Sequence, residues 1–409
     1  MSPNSGDLSG EGCSPPPTAG AAPPPGVLSS NTPPPTSKVG QFTGGEDWLE
    51  WCCYVDWQTG WDKLQPRLAK AKEIAGDRKL AKLSGGDLIL FGDTEAHVNP
   101  SGTSLGKKGK GQHMAYRLAC SGLVILIANR KCVKGSAPNV VIRADGTQCL
   151  NHGAVGCREL GRELLKKAGA FIRREKLSRV DLCLDLPGVP MDAFLSAYRE
   201  ERYICRAKEK GLIESSGATI NLGKNPLKLR IYDKAAQMRS ECDVVKLFMM
   251  MERRWHGVDQ KQATRVEFEL SRDALKSRGV DTPDDYFQKR SDLIAYLCNN
   301  WVRFTEGEVD RTNTTRIRVL PLWAEVTAGF KSWAGQARGE PLEPLTREGV
   351  DVTQLLKQAV GVLLTAGVRQ GKKLESREAF NAYASRNMGK ILDAMNLSAE
   401  LARRKADLG

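Results

Sequence analysis

Three short segments of this chain carry charge where a strand would alternate. In RVDLCLDL (179–186), Arg179, Asp181, Cys183 and Asp185 fall on one face of a strand and Val180, Leu182, Leu184 and Leu186 on the other. Asp181 and Asp185, two steps of alternation apart, then project together, with neighbours on that face about 7 Å apart. In LKLRIYDK (227–234), Arg230, Tyr232 and Lys234 share a face by the same rule. In RVEFEL (265–270), Arg265, Glu267 and Glu269 share one face, while Val266, Phe268 and Leu270 point to a core. A half-exposed sheet with weak cross-strand ion pairs accounts for any one of these alone. Together they gather acids, a tyrosine and arginines between residues 179 and 269.

If the three strands are neighbours, carboxylates flank a tyrosine and can hold a divalent cation. That arrangement serves phosphodiester chemistry. A tyrosine hydroxyl, with a pKa of about 10, is a poor nucleophile at neutral pH. A metal held by carboxylate oxygens polarises the scissile phosphate, and Arg or Lys beside it offsets the developing charge. The product, a covalent phosphotyrosine, stores the bond for later rejoining.

The rest of the chain agrees with such a partner. Its 61 Lys and Arg against 48 Asp and Glu leave a formal net charge of +13, which favours a polyanion. The 11 cysteines are odd in number and form no C-x-x-C, as expected of free thiols in a reducing compartment. His97, His113, His152 and His256 are scattered, without zinc spacing. Neither a signal-peptide pattern nor an apolar run of membrane-spanning length is present, so the expected location is the cytoplasm, with no membrane partner.

These residues need a sheet to position them. The segment GEDWLEWCCYVDW from Gly45 reads as a first strand. Residues 62–82 read as a helix, and GDLILFG, YRLACSGLVILIA and NVVIRAD as strands. A helix is expected over 157–176, then the strand RVDLCLDL, then a helix over 191–209. ATINLG and LKLRIYDK read as paired strands, TRVEFELS as another, and 283–304 as a helix. Two amphipathic helices follow Asp351. The mixed order argues for an α+β fold with antiparallel sheets and flanking helices. Residues 1–42 hold three PPP runs and are expected to be a disordered tail. The expected division is this tail, a core over 43–335 and a helical extension over 336–409. The GKKGKGQ loop (106–112) reads equally as a basic DNA-contacting finger or a solvated loop, and MERRW (251–255) and ELARRK (400–405) read as DNA contacts or, as charged runs most often are, solvated faces. Tyr54 and Tyr116 read as core. Tyr198, Tyr203 and Tyr286 read as packing or surface residues in helices or at their ends.

The order RVDLCLDL, TINLGKNPLKLRIYDK, TRVEFELSR, with GAVGCREL (153–160) upstream, resembles the replication initiation factor family. These are rolling-circle initiators of plasmids and filamentous phages, with related relaxases of mobile elements. The resemblance spans about residues 45–330. It implies a relaxase-like initiator core and a site-specific DNA endonuclease and ligase that nicks one origin strand through a 5′-phosphotyrosine. It assigns Tyr232 as nucleophile, Arg230 and Lys234 as phosphate holders, Asp185 then Asp181 as metal ligands, and Glu267 and Glu269 as weaker ligand candidates, each with pairing to an arginine as the alternative. Asp56 or Asp47 stands where an early strand supplies another acid. The histidine pair of better-known rolling-circle enzymes is absent, so Mg²⁺ or Mn²⁺ is the expected cofactor. GAVGC also lacks the usual serine. The implied partners are origin DNA and a host helicase, and the oligomeric state stays open, a homodimer among the options. The alternatives are a relaxase acting at a transfer origin and a non-catalytic origin-binding protein. A tyrosine recombinase is set aside because no histidine follows His256.

Overall fold

The segment from Thr43 becomes strand β1 (Thr43–Asp56), and it pairs along most of its length with β9 (Phe171–Pro187). The structure, a computed structural model, describes residues 42–58, 60–77, 87–105, 112–133, 135, 137–214, 217–309, 317–335, 342 and 352–406. The expected proline-rich tail up to residue 41, the loop segment 106–111 and the expected boundary near 336 therefore lie outside the described residues.

Between those two strands come β2 (Leu88–Phe91), β3 (Thr94–Val98), β4 (Thr103–Ser104), β5 (His113–Met114), β6 (Tyr116–Cys120), β7 (Leu123–Ile127) and β8 (Val140–Ala144). After β9 come β10 (Tyr203–Cys205), β11 (Lys210–Ile213), β12 (Thr219–Lys224), β13 (Leu227–Asp233), β14 (Ala263–Ser271) and β15 (Val302–Phe304). Among the described residues the helices are α1 (Trp61–Gly76), α2 (Gly146–Lys167), α3 (Asp192–Arg199), α4 (Lys234–Glu241), α5 (Val244–Arg254), α6 (Arg272–Lys276), α7 (Pro283–Ala295), α8 (Pro321–Ala334), α9 (Val352–Arg369), α10 (Arg377–Asp393) and α11 (Leu397–Ala406). A π-helical turn over Tyr296–Trp301 joins α7 to β15.

Eleven strands make one sheet in the order β11-β12-β13-β14-β9-β1-β8-β7-β6-β3-β2. Neighbours along it run antiparallel, so the fold is α+β with a large antiparallel sheet and flanking helices. Val180, Leu182, Leu184, Leu186, Val266, Phe268 and Leu270 are all buried, as the alternation requires. They belong to the main core, where Phe268 meets Trp301 and Phe330 at ring-centroid distances of 6.2 and 5.8 Å. Helix α8 comes close to the sheet at Gly329, where a Cβ would lie 3.1 Å from Leu184.

Irregularity in β1 has a consequence for side-chain direction. A register shift between Glu46 and Trp48 adds a residue to the ladder. Glu46 accepts from Tyr286 Oη at 2.7 Å and Arg290 Nη1 at 3.0 Å, whereas the adjacent Asp47 accepts from Arg265 Nη1 at 2.7 Å.

Some boundaries differ from expectation. Helix α2 starts at Gly146, capped by Asp145, and ends at Lys167 rather than 176. Gly169 at φ 83° terminates it in the left-handed region, and 171–176 join β9. Helix α3 stops at Arg199, and Tyr203–Cys205 pair with Val302–Phe304 instead of continuing a helix. Glu201 at φ 54° makes the turn between them. The expected helix over 283–304 ends with Val302–Phe304 as strand. Three helices, not two, follow residue 351, because Asn396 caps a separate α11 by accepting from Ala399 N at 3.0 Å.

Candidate functional site

Strands β13, β14 and β9 are adjacent, so the three charged segments do meet. Register arranges them in rows across one face. Tyr232, Arg265 and Asp185 form the first row, Arg230, Glu267 and Cys183 the second, and Lys228, Glu269 and Asp181 the third.

Hydrogen bonds tie the face together within and between the rows. Arg265 donates from Nε to Asp185 Oδ1 at 2.6 Å and from Nη2 to Asp185 Oδ2 at 2.8 Å, and from Nη1 to Asp47. Both Arg265 and Asp185 are 0% exposed. Tyr232 Oη donates to Glu267 Oε2 at 2.8 Å, and Arg230 donates to the other oxygen of the same carboxylate. Arg179 donates to both oxygens of Asp181 at 2.9 and 2.6 Å and pairs with Glu269 at 3.2 Å.

At the Tyr232–Arg265–Asp185 row this face does not look into solvent. Leu150 of α2, Ala235 and Met238 of α4, Met250 of α5, Trp255 and Ala263 form a small apolar cluster, and Met250 Sδ lies 3.8 Å from Arg265 Nη2. Lys234 is not on the strand either. β13 ends at Asp233, whose side chain caps α4 by accepting from Ala236 N at 3.1 Å. Lys234 is the first residue of that helix, buried, with Nζ donating to Gln237 Oε1 at 2.9 Å. One side stays accessible. A cleft of about 200 Å³ is lined by Thr219, Arg230, Tyr232, Asp233, Gln237 and Ser240, among others.

The electrostatics follow from this packing. Burial, then the Glu267 charge, holds the Tyr232 phenol well above its ordinary range, against the pull of Arg265. Burial alone would raise the Asp47 carboxyl, but Arg265, Lys234 and Arg254 outweigh it and hold it well below the usual carboxylate range. Asp181 is pushed up to about 7, chiefly by burial. Arg179 opposes this, but Glu267 and Glu269 add to it, because three carboxylates here share the guanidinium groups of Arg179 and Arg230.

A divalent cation needs several free oxygens converging on one point. Among the described residues no three His, Cys, Asp or Glu side chains converge in that way. Both oxygens of Asp185 and of Asp181 are bonded to guanidinium groups, and those of Glu267 to Tyr232 and Arg230. In this arrangement the donor set does not fit Mg²⁺ or Mn²⁺. Of the two early acids, Asp47 joins the cluster, while Asp56 pairs with Arg173 away from it. Arg158 of the GCREL segment bonds Glu175 and Asp284 and fastens α2 to β9 and α7.

A tyrosine, a glutamate and an arginine also meet at Tyr286, Glu46 and Arg290. Tyr286 is 0% exposed, whereas Tyr232 is 9% exposed and lines the cleft. Access, not the grouping, distinguishes the two. Arg254 belongs to the MERRW run, read as a DNA contact or a solvated face, and its burial at 1% exposure rules out the solvated face for this residue. The sequence signal was present in the four-residue spacing of Met250 and Arg254, which share the buried face of α5.

Among solved structures, a rolling-circle replication initiator protein from Geobacillus stearothermophilus resembles this chain over 71% of its length and 97% of that chain, with 14% identity and a TM-score of 0.40. At that level the likeness assigns neither family nor activity. No family model matches the sequence, and no curated protein matches it. No helix among the described residues is long and apolar enough to cross a membrane.

Two outcomes are expected. Asp185→Ala strands a buried guanidinium and should lower unfolding stability by about 3–5 kcal/mol. In urea denaturation the loss should be equal in EDTA and in Mg²⁺; a loss seen only with Mg²⁺ would instead mark Asp185 as a ligand. Asp181 binds its proton more tightly folded than unfolded, so its stabilising contribution is complete below about pH 4 and gone above about 7. Wild-type stability should therefore fall across that window more steeply than that of Asp181→Asn. Equal slopes would contradict the assignment.

Proposed function

We propose that this chain initiates rolling-circle DNA replication by nicking and rejoining one strand through Tyr232. The observation that carries the reading is the 2.8 Å hydrogen bond from the Tyr232 hydroxyl to Glu267, beside a cleft that Arg230 also lines. The net charge of +13 fits a polyanionic substrate.

In this mechanism a phosphodiester enters the cleft against Arg230. The phenol is protonated at neutral pH, so attack requires a base in contact with it. Glu267 takes the proton as Tyr232 Oη bonds to phosphorus. The bond to the 3′ oxygen breaks, and that oxygen leaves as a hydroxyl after taking a proton from solvent. The 5′ phosphate is then esterified to Tyr232. Rejoining reverses each step, with Glu267 returning its proton to the departing phenol. Arg230 offsets charge on the phosphoryl oxygens, and Arg265, across the strand from Tyr232, lends its positive field to the developing phenolate. No step is routed through Mg²⁺ or Mn²⁺, since an ion at Asp185 or Asp181 would have to displace Arg265 or Arg179.

The test uses the purified full chain with supercoiled DNA carrying its origin. Tyr232→Phe should abolish nicking. Glu267→Gln should slow it by about 10²- to 10⁴-fold while leaving DNA affinity in place. Unchanged nicking by Tyr232→Phe would move the nucleophile elsewhere. Specific binding without any nicking in the wild type would favour the origin-binding reading.

A further inference from the structure

Arg254 is an anomaly in a well-paired cluster. Its side chain is 1% exposed, yet it forms no ion pair among the described residues. Its Nη1 reaches the Thr43 carbonyl at 3.4 Å, and its Nε has no partner. The guanidinium lies against the backbone of Gly45, where a Cβ would stand 1.9 Å from Nη2, so a larger residue there would displace it. Lys234, 3% exposed, likewise has a neutral partner, Gln237. The carboxylates within their field, Asp47 and Asp185, are both bonded to Arg265. The layer thus holds Arg254, Lys234 and Arg265, all buried, against buried Asp185 and partly exposed Asp47, an excess of one positive charge. A buried charge without a counter-charge is costly, and folding gives no reason to keep it.

The helix that carries Arg254 is anchored by few side chains, chiefly near its C-terminal end, where Trp255 is also buried. Helix α5 buries only Met250 and Arg254, and its outer face shows Val244, Val245 and Phe248 at 77, 71 and 59% exposure. Left-handed residues stand at both ends: Cys242 at φ 53°, and His256 at φ 55° followed by Gly257 at φ 76°.

We infer that Arg254 and Lys234 form a phosphate-binding layer beneath α5, and that α5 is a cover that lifts on its flanking turns to admit a phosphodiester and closes with Arg254 against it. The identity of that phosphate as part of a DNA strand rests on the proposed function; the anion site does not.

The test is thermal denaturation of the full chain at constant ionic strength, with inorganic phosphate or with dithymidine monophosphate, a single phosphodiester. Both should raise the wild-type midpoint. Arg254→Met should melt about 2 °C or more above wild type without ligand, because an uncompensated charge is gone, and should lose the ligand-dependent rise. Arg254→Lys should retain a reduced rise. The rise requires binding and no nicking, so failure of the nicking chemistry and failure of the anion site remain separable. No rise in wild type, or an undiminished rise in Arg254→Met, would overturn the inference. A rise with inorganic phosphate alone would overturn the phosphodiester assignment.

Discussion

Arg265, buried between Asp185 and Asp47, sets the terms for the surrounding structure. Taking a guanidinium out of water is repaid only by close, well-directed partners. Asp185 supplies two parallel bonds and Asp47 a third. This requires Asp185 directly opposite Arg265, which fixes the register of β9 on β14. A one-residue slip would bring apolar side chains to the guanidinium and polar ones to the core. The same register places Glu267 within reach of Tyr232, so the ion pair that stabilises the sheet also aligns the candidate reacting groups.

The cluster divides into regions of different character. Around Tyr232 and Glu267 charges balance in a place that a cleft reaches, which suits proton transfer. Around Asp181 burial, with a smaller contribution from carboxylates that outnumber the guanidinium groups, holds a proton up to about pH 7. Beneath α5 cations outnumber carboxylates. A phosphate entering between these regions would meet base and nucleophile on one side and uncompensated positive charge on the other, which is the polarity that attack on a phosphodiester requires.

Much of this was legible in the sequence because alternation is a strict geometric rule. The faces of 179–186 and 265–270 are as the pattern requires, and the three strands are neighbours. Alternation cannot show what lies above a face, so the roof formed by α2, α4 and α5 was invisible. Nor does it show where a strand ends: Lys234 fits the strand pattern but follows a capping Asp233 and opens a helix. Pairing between carboxylates and arginines depends on side-chain reach across strands, and here it ties up the oxygens that a sequence reading offers to a metal. Asp47 enters the cluster through an irregularity in β1 that no local pattern marks.

In the proposed reaction Tyr232 becomes covalently joined to DNA. The most direct test of that step is peptide mapping by mass spectrometry after the full chain has reacted with origin DNA and the DNA has been digested to short remnants. The account predicts a 5′-phosphonucleotide remnant on the peptide containing Tyr232 and on no other tyrosine. A remnant on another residue would contradict it, as would nicked DNA with no protein adduct.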